Sequence, residues 1–134
     1  MHKLLLDIPS QLSTERLIIR KYADGDGAEL YLLLERNNNR DFLKENTEEM
    51  SAIKTEEEAE IRIRKRAAEW IARDRFVMGI WSKSERKYIG EIWIEPKNWE
   101  VPLFEIGWFL DQSYQGRGLA TEAAQRSQGG CYHP

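Results

Sequence analysis

The chain has 134 residues, 41% of them hydrophobic, with 20 basic and 23 acidic side chains and a net charge of −3. This suits one globular domain that buries roughly 65–70% of its unfolded surface, and it excludes a disordered chain. One cysteine, Cys131, excludes an internal disulfide framework, no apolar run approaches the ~18–20 residues of a membrane span, and the charge balance gives no sign of a nucleic-acid partner. Leu4, Leu5 and Leu6 are followed at once by Asp7 and Pro9, too short a run for a signal-peptide core. A reducing cytoplasm is the expected location.

Residues 15–22 (ERLIIRKY) read as a first strand. A turn at Asp24-Gly25-Asp26-Gly27 follows, with Asp26 placed to cap a helix carrying Leu30, Tyr31 and Leu34. The asparagines at 37–39 break that helix, and residues 40–46 suit another short one. Thr55 with Glu58 three residues on is a capping box, the clearest helix start in the chain. Behind it Ala59, Ile63, Ala67, Trp70 and Ile71 form one helical stripe, expected to face the core. Arg62, Arg64, Lys65 and Arg66 follow the acids Glu56, Glu57, Glu58 and Glu60, so the polar side reads as a solvated face with Glu58–Arg62 and Glu60–Arg64 pairs. Residues 76–83 and 88–95 then form a hairpin, 96–102 a proline-bracketed loop, and 103–110 a third apolar strand containing Glu105 and Gly107. A glycine loop then opens a helix near Leu119. The order implies an α+β domain with a mostly antiparallel sheet flanked by helices.

The loop Gln115-Gly116-Arg117-Gly118-Leu119-Ala120 carries the chemistry. Its glycines permit positive φ, and successive N–H groups running into a helix start make a nest for phosphate oxygens. Arg117 adds a charge at the rim. A Walker loop needs Lys-Ser/Thr where Leu119-Ala120 stand, and a dinucleotide fingerprint needs Gly or Ala where Thr121 stands. The pattern Q/R-x-x-G-x-G/A is met by Gln115, Gly118 and Ala120. A plain tight turn before a helix fits these six residues too.

Thr14-Glu15-Arg16-Leu17 with Arg20 resembles the "TERL-x-h-R" opening (h, hydrophobic) of the GNAT N-acetyltransferases. Tyr88-Ile89-Gly90-Glu91-Ile92 is similar to that family's third strand. Phe104-Glu105-Ile106-Gly107-Trp108-Phe109-Leu110, with Tyr114 to Ala123, closely resembles its fourth strand and pyrophosphate loop. The nearest subgroup is the one that includes the ribosomal-protein serine and alanine N-acetyltransferases. The resemblance implies acetyl transfer from acetyl-CoA to a primary amine, without a metal. It implies that pantetheine pairs with the backbone at Trp108, Phe109 and Leu110, and that the N–H groups of Gln115, Gly116, Arg117, Gly118, Leu119 and Ala120, at the helix start that continues with Thr121, hold the pyrophosphate. An N–H near Leu110 is then the expected oxyanion donor. Glu105 is the candidate base, directly or through water, and Glu91 the second candidate; a solvent-facing strand residue is the other reading of Glu105. Trp93, Trp99 and Trp108 could wall an acceptor pocket or pack in the core. Near neutral pH roughly 10–15% of an α-amine is already neutral, against about 0.04% of a lysine side chain. A weak base therefore suffices more readily for a protein N-terminus, although small amines stay open as acceptors.

Residues 1–124 follow the family and 125–134 depart from it. Gly129-Gly130 is expected to end the last helix, before the strand that diverges from the fourth, the cofactor-contacting Asn and the Tyr or Ser that protonates the leaving thiolate. The expectation is a truncated or frame-altered form of a longer protein. A marginal product, a homo-oligomer in which a second copy completes the fold, or a remnant with only weak CoA affinity are the alternatives. Cys131, His133 and His2 are too few for a four-ligand metal site.

Overall fold

Runs of β-branched and aromatic residues make the strands, and the capping signals between them separate the helices. The computed structural model describes residues 8–44, 48–98 and 103–132. In chain order these hold β1 (Gln11–Ser13), β2 (Leu17–Lys21), α1 (Gly27–Glu35), α2 (Asn39–Lys44), α3 (Glu48–Ser51), α4 (Glu56–Ala72), β3 (Phe76–Ser82), β4 (Lys87–Asn98), β5 (Leu103–Leu110), a 3₁₀ turn (Gln112–Tyr114) and α5 (Leu119–Tyr132). The five strands lie side by side in that order, each antiparallel to its neighbours. β4 and β5 carry the two segments that resemble the family's third and fourth strands. Helices cover both sheet faces, so β3 is buried at every position. One face packs Ile19, Met78, Ile80, Ile92 and Leu110 against Leu119 and Ala123 of α5. The other packs Tyr22, Val77, Tyr88 and Phe109 against Leu30 and Leu33 of α1 and Ala59 and Ile63 of α4.

The structure corrects several sequence expectations. A short β1 precedes the first expected strand and pairs with it. Asp26 occupies the N-cap position of α1 but makes no side-chain cap. Its carboxylate accepts from Arg20 at 2.9 and 3.0 Å, and Glu60 of α4 instead accepts from the N–H groups of Gly25 and Gly27 at 2.9 and 2.8 Å. That approach requires glycine at 27, where a Cβ would run into the Glu60 backbone. The Thr55 cap stands, accepting from the Glu58 N–H at 3.1 Å. Ala59, Ile63 and Trp70 are buried as the stripe requires, whereas Ile71, about 120° round the helix from Ala59, is 75% exposed. The Glu60–Arg64 pair forms at 2.8 Å; Arg62 turns inward instead of pairing with Glu58.

β4 continues through Pro96 to Asn98, into the stretch expected to be loop. The alternation of an antiparallel ladder turns the main chain at position 96 away from β5, and on its other side β3 has already ended, where Phe76 pairs with Ile94. A missing N–H costs no ladder bond there. At the far end α5 keeps helical backbone through Gly129 and Gly130 to Tyr132, so the glycines do not stop it; each glycine weakens a helix by about 1 kcal/mol without forbidding it.

Candidate active site

The site forms where β5 ends. Asp111 N–H donates to the Ile89 carbonyl at 2.7 Å, and ladder alternation then directs the main chain of Phe109 toward β4. The main-chain groups of Trp108 and Leu110 face the outer edge of the sheet, since β5 is its last strand. The Leu110 carbonyl accepts from Gln115 Nε2 at 3.3 Å, so its N–H is what the edge offers a ligand.

The loop then reverses through two left-handed residues, Gly116 and Gly118, both at φ 76°. A Cβ at Gly116 would meet nothing within 4 Å, and one at Gly118 would meet only the Arg16 guanidinium, 3.6 Å away. The first bond closing onto α5 runs from the Glu122 N–H to the Gly118 carbonyl at 3.1 Å. First-turn N–H groups ahead of it have no intrahelical partner and carry the positive end of the helix dipole. These are the properties a pyrophosphate cradle needs. Leu119 is buried in the core, Ala120 half-buried and Thr121 exposed. Arg117 folds back, its guanidinium 4.8 Å from the Tyr114 ring centroid and Nη2 donating to the Ser113 carbonyl at 3.0 Å. Tyr114 is buried, and burial with a hydrogen bond to Glu85 pushes its pKa up to about 12.

The base candidates part company. Glu105 is 66% exposed and salt-bridged to Lys97 at 3.2 Å. It lies five residues before Leu110, about 16 Å along an extended strand, so a proton passes between them only through water. Glu91 is fully buried and held by Arg62 at 2.6 and 2.9 Å and by the Tyr22 hydroxyl at 2.8 Å; with its oxygens so engaged it has no path to an amine. Trp93 packs over Gly107, where a Cβ would collide with the indole. Trp108, 49% exposed, pairs with Ile92 and so shares the α5 face of the sheet. Trp93 packs on the other face, so these two tryptophans cannot wall one pocket. Trp99, His2 and His133 lie outside the described residues, as does the side chain of Cys131. Among the described residues no three His, Cys, Asp or Glu gather as a metal site.

Two ion-pair hubs flanking the glycine loop escaped the sequence reading. Asp111, fully buried, accepts from Arg36 Nε at 2.7 Å, Asn37 Nδ2 at 3.1 Å, and the Ser113 N–H and hydroxyl, both at 2.9 Å. Arg36 also donates to the Tyr88 carbonyl at 2.5 Å, and Asn39 Oδ1 accepts from the Gln112 N–H at 2.7 Å. The α1–α2 junction is thereby bolted to the start of the glycine loop. On the loop's other flank Glu122 accepts from the Thr14 hydroxyl, from the Arg16 N–H at 3.1 Å and from Arg16 Nε at 2.8 Å, while Arg16 Nη1 donates to the Arg117 carbonyl at 2.9 Å. The TERL signal was visible in the sequence; its partner was not.

Burial works to raise the pKa of Asp111 and of Glu122, but these donors outweigh it and lower both; Glu49 and Glu60 are lowered in the same way by their arginine and backbone donors. Such carboxylates bind protons more readily when unfolded. Their contribution is complete above the unfolded pKa values, near 4, and is lost as the pH falls through the folded ones. The urea midpoint is expected to be level from about pH 7 to 5.5 and to fall steeply below about pH 4. A midpoint unchanged down to about pH 3 would contradict this.

This architecture of an antiparallel sheet, covered on both faces, with a glycine loop opening a helix after an edge strand, is that of an acyl-CoA N-acyltransferase. Residues 16–128 match the acetyltransferase (GNAT) domain, and the chain belongs to that family. No curated protein matches it in sequence. Among solved structures, the microcin C7 self-immunity acetyltransferase MccE, in complex with acetyl-CoA and AMP, superposes with a TM-score of 0.78 at 19% identity, over 88% of this chain and 64% of its own. The ribosomal L7/L12 α-N-protein acetyltransferase RimL with coenzyme A gives 0.76 at 17% identity, over 90% and 64%. The ribosomal-protein-S5-alanine acetyltransferase from Vibrio fischeri gives 0.69 at 20% identity, over 87% and 63%. The chain spans under two thirds of each, and at these identities the likeness establishes the fold. No helix among the described residues is long and apolar enough to cross a membrane.

Proposed function

We propose that the protein is an acetyl-CoA-dependent N-acetyltransferase of the cytoplasm, acting on the α-amine of a protein N-terminus of the ribosomal-protein type. The observation that carries this is the open left-handed loop at Gly116 and Gly118 beside the outward-facing main chain of Leu110. Acetyl-CoA supplies the activated acetyl group. The N–H groups of residues 116–120 hold its pyrophosphate, and the edge groups of Trp108 and Leu110 take the pantetheine. A Leu110 N–H aimed at the thioester oxygen stabilises the charge that develops there, a donor worth about 2.7–4 kcal/mol. Glu105 draws off the amine's proton through a chain of waters, while the C–S bond breaks and the leaving CoA thiolate takes up a proton from solvent. An α-amine needs little such help, because a tenth or so of it is neutral near pH 7.

A thiol-release assay with acetyl-CoA separates the readings. Peptides starting with Ala or Ser should turn over, whereas the same peptides with a blocked N-terminus and a free lysine should not. Turnover of small amines alone would favour a small-molecule acceptor. CoA binding without turnover would leave a non-catalytic binding domain, and neither binding nor turnover would sink the proposal. Glu105→Gln is expected to lower kcat about tenfold, less than a base in direct contact contributes, with the KM for acetyl-CoA unchanged. An unchanged kcat removes Glu105 from the mechanism.

A further inference from the structure

The opening motif and the glycine loop, about a hundred residues apart in sequence, meet through Arg16. Its guanidinium spans two partners: Nε and Nη2 on Glu122 Oε1, both at 2.8 Å, and Nη1 on the Arg117 carbonyl at 2.9 Å. A trans peptide points its C=O and its N–H in opposite directions. Holding the Arg117 carbonyl therefore aims the Gly118 N–H away from Arg16. Glu122 is itself fixed by the Thr14 hydroxyl and the Arg16 N–H. Thr14 also accepts from the Leu17 N–H at 2.9 Å, which seats the motif at the start of β2. Glu122 places a carboxylate in the first turn of α5, beside the phosphate cradle, where an unpaired negative charge would repel a phosphate. Arg16 neutralises it and uses it as an anchor.

We infer that Arg16 is a positioning residue for the cofactor loop: anchored on Glu122, it orients the Arg117–Gly118 peptide so that the loop is preorganised for pyrophosphate. The inference rests on the acetyl-CoA reading above and adds a role for the chain's first motif. It differs from a simple charge role in two ways. A lysine keeps the charge but cannot hold a carboxylate and a carbonyl with one rigid fork. Removing Glu122 deletes a negative charge near an anion site, so electrostatics alone predicts tighter CoA binding, whereas loss of the anchor predicts weaker binding.

The test is calorimetric titration of the full chain with CoA and with 3′-dephospho-CoA, using wild type, Arg16→Lys and Glu122→Ala, with circular dichroism to confirm folding. Alanine is the best helix former, so Glu122→Ala keeps α5. Both variants are expected to bind both nucleotides about tenfold more weakly. Wild-type affinity in Arg16→Lys, or tighter binding in Glu122→Ala, overturns the inference. A loss confined to CoA also overturns it, since Arg16 would then be reading the 3′-phosphate and not setting the loop. If wild type binds neither nucleotide, the acetyl-CoA reading fails and takes this inference with it.

Discussion

Replacing Arg62 by methionine is expected to cost about 3–5 kcal/mol of folding free energy, the usual penalty for stripping one partner from a buried ion pair. Arg62 of α4 is only 7% exposed and ties that helix to α3 and to β4. Both oxygens of Glu91 on β4 take its Nη groups, and Nε reaches Glu49 at 2.9 Å. Tyr22 donates to the same carboxylate, and its hydroxyl lies 2.6 Å from that of Tyr88. Burial, then the Glu91 charge, raises the pKa of both phenols, so they remain donors across the physiological range. Methionine fills the space of the arginine stem but leaves the Glu91 carboxylate under α4 without its cation. In a domain stable by roughly 5–15 kcal/mol that loss is a large fraction. Arg62→Met with Glu91→Leu should recover most of it, because the desolvation penalty disappears with both charges. Urea unfolding of the two single variants and the double variant measures this. A single-variant cost below about 1 kcal/mol would show that the pair contributes little.

The same residue shows where sequence reasoning stops. The capping box at Thr55 and the start of α4 were legible because local signals set them: a side-chain cap, a period of 3.6, acids at the start. The C-terminal end of β5 was legible to the residue, since its apolar run stops at Asp111 ahead of the glycine loop. The direction of Arg62 was not legible. A basic residue among Arg64, Lys65 and Arg66 looks solvated unless a carboxylate waits inside, and Glu91 lies 29 positions away. Asp26 failed similarly. Its offset suited a helix cap, but Arg20 was close enough to claim its carboxylate, leaving the helix start to Glu60 of another helix. Partners brought in by the fold decide the fate of charged residues, whereas Thr55 and β5 are set by their local sequence.

Within the site the same division holds. Gly116 and Gly118 announced positive φ, and the structure has it. Glu105 and Glu91 could not be ranked by alternation along their strands, because β4 is buried on both faces and an inward Glu91 has the same sequence appearance as an outward one. Their partners distinguish them: Arg62 and Tyr22 hold Glu91 inside, and Lys97 holds Glu105 at the surface.

Asp111→Ala is the second large effect, expected to cost about 3 kcal/mol or more, since it removes a buried carboxylate that accepts charge-assisted and neutral bonds together. Asp111 ties Arg36 and Asn37 to the turn through Ser113, and it stands next to Leu110, whose main chain faces the outer edge of the sheet. Asp111→Asn keeps the shape and most hydrogen bonds but discards the charge facing Arg36, so it should cost about half as much. A double-mutant cycle with Arg36→Met isolates the pair, with a coupling of about 1.5–3 kcal/mol expected. A coupling under about 0.5 kcal/mol would assign the stability to the neutral bonds and not to the ion pair. The acid sensitivity should follow the same residue. Because donors hold the folded Asp111 carboxyl below its ordinary pKa, Asp111→Asn should flatten the fall in stability below about pH 4, and it should leave the plateau above about pH 5.5 lower but level. A variant as acid-sensitive as the wild type would shift that role to Glu49, Glu60 and Glu122, the other lowered carboxyls.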